Sequence, residues 1–303
     1  MAGDVVYDSR TINEQIKKLI SMGKVVKIEG LTGQNCIAVG IRQGKTRISG
    51  VGGDYFGSFN AGGRLTLQGP AGRYVCDNMS GGEVIIQGHV ASGSGVYMSG
   101  GNLIVKGNAG DRVGLNMQGG ILVIDGYAGS YVGEYMQGGT LIVTGNAGAH
   151  LGQWMIGGEI YVGGTITERG RNTAETQATS EEVAAVVKYL EAYDIKGVTA
   201  LRKITAEETR PFFDAEEEFA VAELDEEEGA EVVIPVTPVE EDSGIVVEAD
   251  TVEAIGSGPI VKAEEDDGND QIARTQDLER KLAQIRAKRE KLMNDLKKNK
   301  EGD

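Results

Sequence analysis

The sequence predicts an all-β chain: a single-stranded, right-handed parallel β-helix of about seven 19-residue coils, with a short N-terminal helix and a mostly disordered acidic tail that ends in a helix. Three observations predict it. Gly-Gly pairs recur every 19 residues, at Gly62 and Gly63, Gly81 and Gly82, Gly100 and Gly101, Gly119 and Gly120, Gly138 and Gly139, and Gly157 and Gly158. A second glycine column steps by the same 19 through positions 50, 69, 88, 107, 126, 145 and 164. A third column is Met79, Met98, Met117, Met136 and Met155. Tandem self-similarity at a period of this size marks a stacked, solenoidal architecture.

Within each copy the Gly-Gly pair precedes a short apolar run closed by another Gly, as in Glu83-Val-Ile-Ile-Gln87, Asn102-Leu-Ile-Val-Lys106 and Thr140-Leu-Ile-Val-Thr144. Their length and β-branching make them strands. Nineteen residues leave no room for a ten-residue helix beside strand and turns, so each copy winds once and stacks on the next. Seven coils at about 4.8 Å make a rod roughly 30–35 Å long. The methionines and a second column, Val75, Val113, Val132 and Leu151, then fill a narrow lumen, a place suited to the unbranched, adaptable Met side chain. Asn60 and Cys76 depart from their columns, and both read as tolerance near the end of the rod.

Strand alternation sends Leu65 and Leu67, Val84 and Ile86, Leu103 and Val105, Leu122 and Ile124, and Leu141 and Val143 inward. The residues between them face out, and Ile85, Ile104, Val123, Ile142 and Tyr161 form an apolar stripe. Such a stripe is a candidate interface with a partner, or a surface covered by another part of the same chain. Residues 9–23 offer one cover: Thr11-Ile-Asn-Glu14 has the capping-box pattern, Ile12, Ile16, Leu19 and Ile20 share a helical face, and Gly23 ends the helix. The same helix is alternatively a plug for the first coil, whose open edge needs one.

By domains, residues 1–30 read as an N-terminal helix and the strand leading into the rod, 31–170 as the β-helix, 171–213 as a helical extension, 214–270 as an acidic disordered linker, and 271–303 as a basic amphipathic helix. Thr179-Ser-Glu-Glu182 begins the extension's helix, which carries Val183, Val186, Val187, Leu190 and Ile195 and ends at Gly197, and Phe212 and Phe213 are anchors for the segment after it. In the terminal helix Leu278, Leu282, Ile285, Leu292 and Leu296 fall at heptad spacing. Two outcomes stay open there: oligomerisation through that helix, or a solvated helix paired with the acidic tract.

Composition and charge exclude several functions. Of 46 glycines, 37 lie between Gly30 and Gly170, yet with 5 Pro and no triplet period the chain is not collagen-like. No run approaches the ~20 apolar residues of a membrane helix, and the N-terminus carries no secretory signal. Residues 1–170 hold 13 Lys/Arg against 12 Asp/Glu, a net of +1, and residues 171–303 hold 17 against 34, a net of −17; together they give −16. A balanced rod offers nucleic acid no basic groove. Two lone cysteines, Cys36 and Cys76, point to a reducing cytoplasm and away from an iron–sulfur or zinc site. His89 and His150 lie in different columns three coils apart, about 14 Å along the axis. Gly93-Ser-Gly95 has no strand–helix unit to aim at phosphates. Tyr55, Tyr74, Arg112, Tyr131 and His150 share an outward column that reads as surface or contact area. No catalytic, cofactor-binding or metal-ligating set emerges.

The pattern Gly-Gly-x-Leu-x-Val-x-Gly-x-Ala-Gly-x-x-x-Gly-x-x-Met-x-Gly-Gly, repeated between Gly100 and Gly139, resembles the GXGXG β-helix at the C-terminus of the glutamate synthase large subunit. The same repeat occurs in one subunit of formylmethanofuran dehydrogenase. Ser9-Arg-Thr-Ile-Asn13, Gly30-Leu-Thr-Gly-Gln-Asn35, Ala38-Val-Gly40, and the segment from Leu201-Arg-Lys-Ile204 to Arg210-Pro-Phe-Phe213 are similar to stand-alone glutamate synthase domain-3 subunits. The resemblance covers about residues 5–213; the acidic tract and terminal helix depart from it. It implies a non-catalytic scaffold that binds no cofactor itself and braces two partner subunits in glutamate biosynthesis. One is a glutamine amidotransferase; the other is a synthase carrying FMN and iron–sulfur. The alternative it implies is the repeat-bearing subunit of a formylmethanofuran dehydrogenase-type complex. A self-sufficient β-helix enzyme acting on polysaccharide is a third reading, one that lacks acids and bases lining a groove.

Overall fold

The computed structural model describes residues 8–209 and, as backbone alone, residues 260–264. Eight parallel strands follow one another, each pairing with the next: β1 (Val25–Thr32), β2 (Lys45–Val51), β3 (Ala61–Gln68), β4 (Gly81–Ile86), β5 (Asn102–Val105), β6 (Ile121–Ile124), β7 (Thr140–Val143) and β8 (Glu159–Val162). The register from β2 onward is the sequence period itself, Leu65 beside Val84, Val84 beside Leu103, Leu103 beside Leu122. A second side of each coil is stitched by single bridges along Ala71, Val90, Ala109, Ala128, Ala147 and Ile166. The parallel β-helix predicted from the repeat is what the chain forms, with one helix ahead of it.

The lumen is one continuous apolar cluster. Met79, Met98, Met117, Met136 and Met155 are fully buried, as are Val75, Val113, Val132 and Leu151. The methionine and glycine columns belong together for a steric reason. A Cβ on Gly120 would stand 2.8 Å from Met98 Cε, and one on Gly139 would stand 2.8 Å from Met117 Cε, so each methionine tip occupies the room that a glycine leaves one coil later. Gly120 and Gly139 also sit at φ of +83° and +88°, where a side chain strains the backbone. Asn60 is not a slack end-of-rod substitution: it takes the Met place at the first Gly-Gly turn, its amide donating to Gly63 O (2.9 Å) and Gly81 O (3.1 Å).

Both ends of this parallel stack are finished by antiparallel strands. β9 (Thr173–Thr176) and β10 (Arg202–Ala206) close the far end, β10 pairing with both β8 and β9. At the near end, β11 (Ile260–Glu264) pairs with β1. It lies in the span that the sequence assigns to a disordered linker; a local reading has no access to an edge more than 200 residues away. An unpaired edge is a template for aggregation, and each end is covered. Phe212, Phe213 and the terminal heptads lie outside the described residues.

Helix α1 (Ser9–Ser21) plugs the first coil and leaves the apolar stripe alone: Ile12 and Ile16 are buried in the same cluster as Val26, Ile28, Ile37 and Ile41. Its N-cap is Asp8, which accepts from Thr11 N, and Glu14 pairs with Arg10, so the capping box read at Thr11 and Glu14 does not form. The cap begins one turn earlier than the pattern suggested. Asn13 fastens the helix to the rod, donating to Cys36 O and accepting from Ala38 N, each at 2.7 Å. Helix α2 (Ser180–Glu191) starts at Thr179 with the capping box formed, as expected, but ends at Glu191, short of Gly197.

Candidate functional site

The coil presents two outer surfaces of different character. On the strand side the stripe Ile85, Ile104, Val123, Ile142 and Tyr161 is buried beneath α2, packed against Val186, Tyr189, Leu190, Tyr193 and Ile195. Of the two readings of the stripe, a partner's docking face or a surface covered by the same chain, the second is what forms, with α2 as the cover. Each Ile or Val so buried is worth roughly 1.5–3 kcal/mol relative to exposure.

Polar clamps fix α2 at both ends of that stripe. Lys203 on β10 lies beside Tyr161 in the strand register, its side chain fully buried, and its Nζ meets Glu159 Oε1 at 2.7 Å and Glu182 Oε1 at 2.8 Å. The other oxygen of Glu182 accepts from Thr179 N and so completes the helix cap. The Tyr161 hydroxyl donates to Glu159 (3.0 Å), and its ring lies 5.6 Å from the Lys203 ammonium. At the opposite end the Tyr193 hydroxyl donates to Glu83 Oε1 at 2.8 Å, and Arg64 pairs with Glu83 at 2.6 Å. Beyond the clamp, Arg202 and Glu175 tie β10 to β9; the guanidinium's hydrogen bonds hold that carboxyl below the usual glutamate range.

On the turn side the chain enters the left-handed region three times per coil, at alternate residues. The middle column is mostly Gly57, Gly95, Gly114, Gly133 and Gly152, with Cys76 in one place. Cys76 is buried, and desolvation pushes its thiol up, away from the thiolate that nucleophilic chemistry needs. The flanking columns are not glycine. One holds Tyr55, Tyr74, Gly93, Arg112, Tyr131 and His150, the five side chains at φ of 57° to 60°. The other holds Phe59, Asn78, Tyr97, Asn116, Tyr135 and Trp154 at 52° to 57°. A left-handed residue with a Cβ costs about 1–2 kcal/mol unless it is Asn or Asp. Tyr55, Phe59, Tyr74, Tyr97 and Tyr135 are nevertheless 39–53% exposed.

The rings of the first column stack on one another. Tyr55 and Tyr74 are 5.1 Å apart at 16°, and Tyr74 leans over Gly93, where a Cβ would stand 2.6 Å from its ring. Above that gap the Arg112 guanidinium sits 5.3 Å from the Tyr131 ring, and Tyr131 stacks on His150 at 4.6 Å. The first column is legible in the sequence, and the second beside it escaped the sequence reading. Its signal is the same 19-residue step, from Phe59 through Trp154.

Several polar side chains of the turns tie one coil to the next. Asp54, Ser92 and Asp111 accept from the backbone N–H 19 residues later. His89, Asn108 and Asn146 do the same on another corner. His89 is thereby a rung in a ladder, and His150 belongs to the ring stack. Among the described residues no group of three or more His, Cys, Asp or Glu is arranged to hold a metal ion. No helix among them is long and apolar enough to cross a membrane.

No curated protein matches the chain. Among solved structures it is similar to a chain of the formyltransferase/hydrolase complex (FhcABCD) from Methylorubrum extorquens in complex with methylofuran. That likeness has 30% identity and a TM-score of 0.48, covering 52% of this chain and 62% of that one, under two thirds of its length. The sequence profile of the GXGXG motif matches residues 21–199, more than half of the 303. With those residues forming the coils whose turns the glycine columns make, this protein belongs to the GXGXG motif family.

Proposed function

We propose that this chain is a non-catalytic scaffold subunit of a multi-subunit enzyme complex, a stiff spacer between catalytic partners. Family membership supports the reading, and the observation that carries it is the rod itself. Every coil from β1 to β8 is hydrogen-bonded to the next, and its lumen is filled without a break. Such a body holds two sites at a fixed separation, so an intermediate passes between them with little loss to water. Fold by itself does not assign a reaction, so the chemistry resides in the partners.

Two finer readings share the repeat. A formylmethanofuran dehydrogenase-type complex fits at least as well as a glutamate synthase with its glutamine amidotransferase and FMN/iron–sulfur subunits. The segments that favoured glutamate synthase have structural jobs here. Ser9 to Asn13 build the α1 plug, and Arg202 to Ile204 build the closing strand β10. A plug and an end cap are needed by any rod of this kind, so they do not choose between assemblies. Purifying the native complex, identifying its chains by mass spectrometry and assaying its metal and flavin content tests both levels. FMN with an amidotransferase chain supports glutamate synthase, and molybdenum or tungsten supports the other type. A chain that purifies alone as a monomer defeats the scaffold reading.

A further inference from the structure

The geometry points to the aromatic ridge on the turn side, from Tyr55 to Trp154, as the face on which a partner protein subunit of the complex docks; this rests on the scaffold reading and names the surface it uses. Nine of the twelve ridge positions carry Tyr, Phe, Trp, Arg or His on left-handed backbone. The fold does not require them. Asn78 and Asn116 occupy the same column with the same φ, and Asn accepts that conformation readily. Strain retained by exposed side chains is an observation that points to function. The residue types are also those that dominate binding energy at protein interfaces, Tyr, Trp and Arg.

Ring geometry selects the occupant. A sugar or a nucleobase binds by stacking on an open aromatic face. In the first column those faces are turned on each other and on Gly93 and Arg112, leaving edges and phenolic hydroxyls outward. Edges and hydroxyls suit a protein surface, with its carbonyls and apolar side chains. Charge agrees. Arg112 pairs with Glu134, Arg73 with Asp54, and His150 faces Glu168, so the cations on and beside the first column are matched by acids, and Arg171 at the far end lies over the Trp154 ring. Size agrees too. A standard interface takes about 800 Å² from each partner, a patch about 28 Å across, and five coil steps give the ridge about 24 Å of length.

Tyr127 supplies an internal reference, because it is 47% exposed on a different corner of the same rod. The native complex and the isolated full-length chain would be compared by hydroxyl-radical footprinting. Tyr55, Tyr74, Tyr97 and Tyr135 are expected to lose at least fivefold in oxidation rate in the complex, while Tyr127 does not change. A triple variant, Phe59→Asn, Tyr97→Asn and Tyr135→Asn, is expected to keep the circular dichroism of the parent, to melt at or above its melting temperature because three strained positions are relieved, and to lose at least tenfold in recovery of the partner chains. Partners present with ridge tyrosines still fully oxidised would overturn the proposal and leave the scaffold reading standing. Protection in a particle of twice the chain's mass, with no other chain, would assign the ridge to a second copy and overturn it. Retention of the isolated chain on immobilised cello-oligosaccharide, lost in the triple variant, would overturn it in favour of a glycan.

Discussion

The strand side and the turn side of the rod are written by the same 19-residue period and treated in opposite ways. On the strand side a row of Ile and Val lies flat and is sealed by α2. On the turn side a row of rings stands on strained backbone and stays open. An apolar stripe in a repeat sequence is thus not evidence of a partner until the rest of the chain has been placed. The open surface is the one whose residues the fold itself would not choose.

Perturbations separate the two sides by size. The largest effect is expected from Gly120→Val. Its Cβ would stand 2.6 Å from Gly101 O and 2.8 Å from Met98 Cε on left-handed backbone. Loss of about 4 kcal/mol or more is expected, seen as a collapse of the thermal midpoint with both faces disrupted together. A strand face and a turn face that melted separately would show that the coil is not their common support.

Lys203→Met comes next. It leaves Glu159 and Glu182 facing each other with no cation between them, and breaking a buried pair costs about 3–5 kcal/mol. Amide exchange should accelerate in α2 and β10 while β4 to β6 keep their protection. Uniform acceleration across the rod would mean that the helix and the coils unfold as one unit. Tyr193→Phe removes only the hydroxyl that donates to Glu83, a loss of about 1–2 kcal/mol felt in the turn that follows α2. Tyr97→Asn on the open side should raise stability, by up to about 1 kcal/mol, because Asn accepts the left-handed backbone that strains Tyr, measured as a urea midpoint shifted upward. A loss of several kcal/mol would mean that the ridge is part of the fold's support and not a surface kept for contact.

How much was legible depended on whether a residue's job lay within its own repeat. Met98 and Gly120 announce each other through the period, so lumen and turns could be read directly. The cover on the stripe could not. Ile142 meets α2 some fifty residues later, and nothing in either segment records the other. Nothing local marks Lys203 as an interior residue; it is buried because β10 reverses direction and sets it beside Tyr161. Asp8 caps α1 in place of Thr11, and the extra N-terminal turn brings Ser9 Oγ to donate to Asn35 O at 2.6 Å, a contact across the rod that the local pattern does not record.

The sequence by itself determined the coil: a 19-residue step in glycine, methionine and β-branched residues admits one stacking register, since any slip sets side chains where only hydrogen fits. Tertiary structure alone decided which outer faces stay open. That depends on where the non-repeating segments α1, α2, β10 and β11 come to rest. Their positions follow from contacts with coils distant in sequence, and no local pattern encodes those.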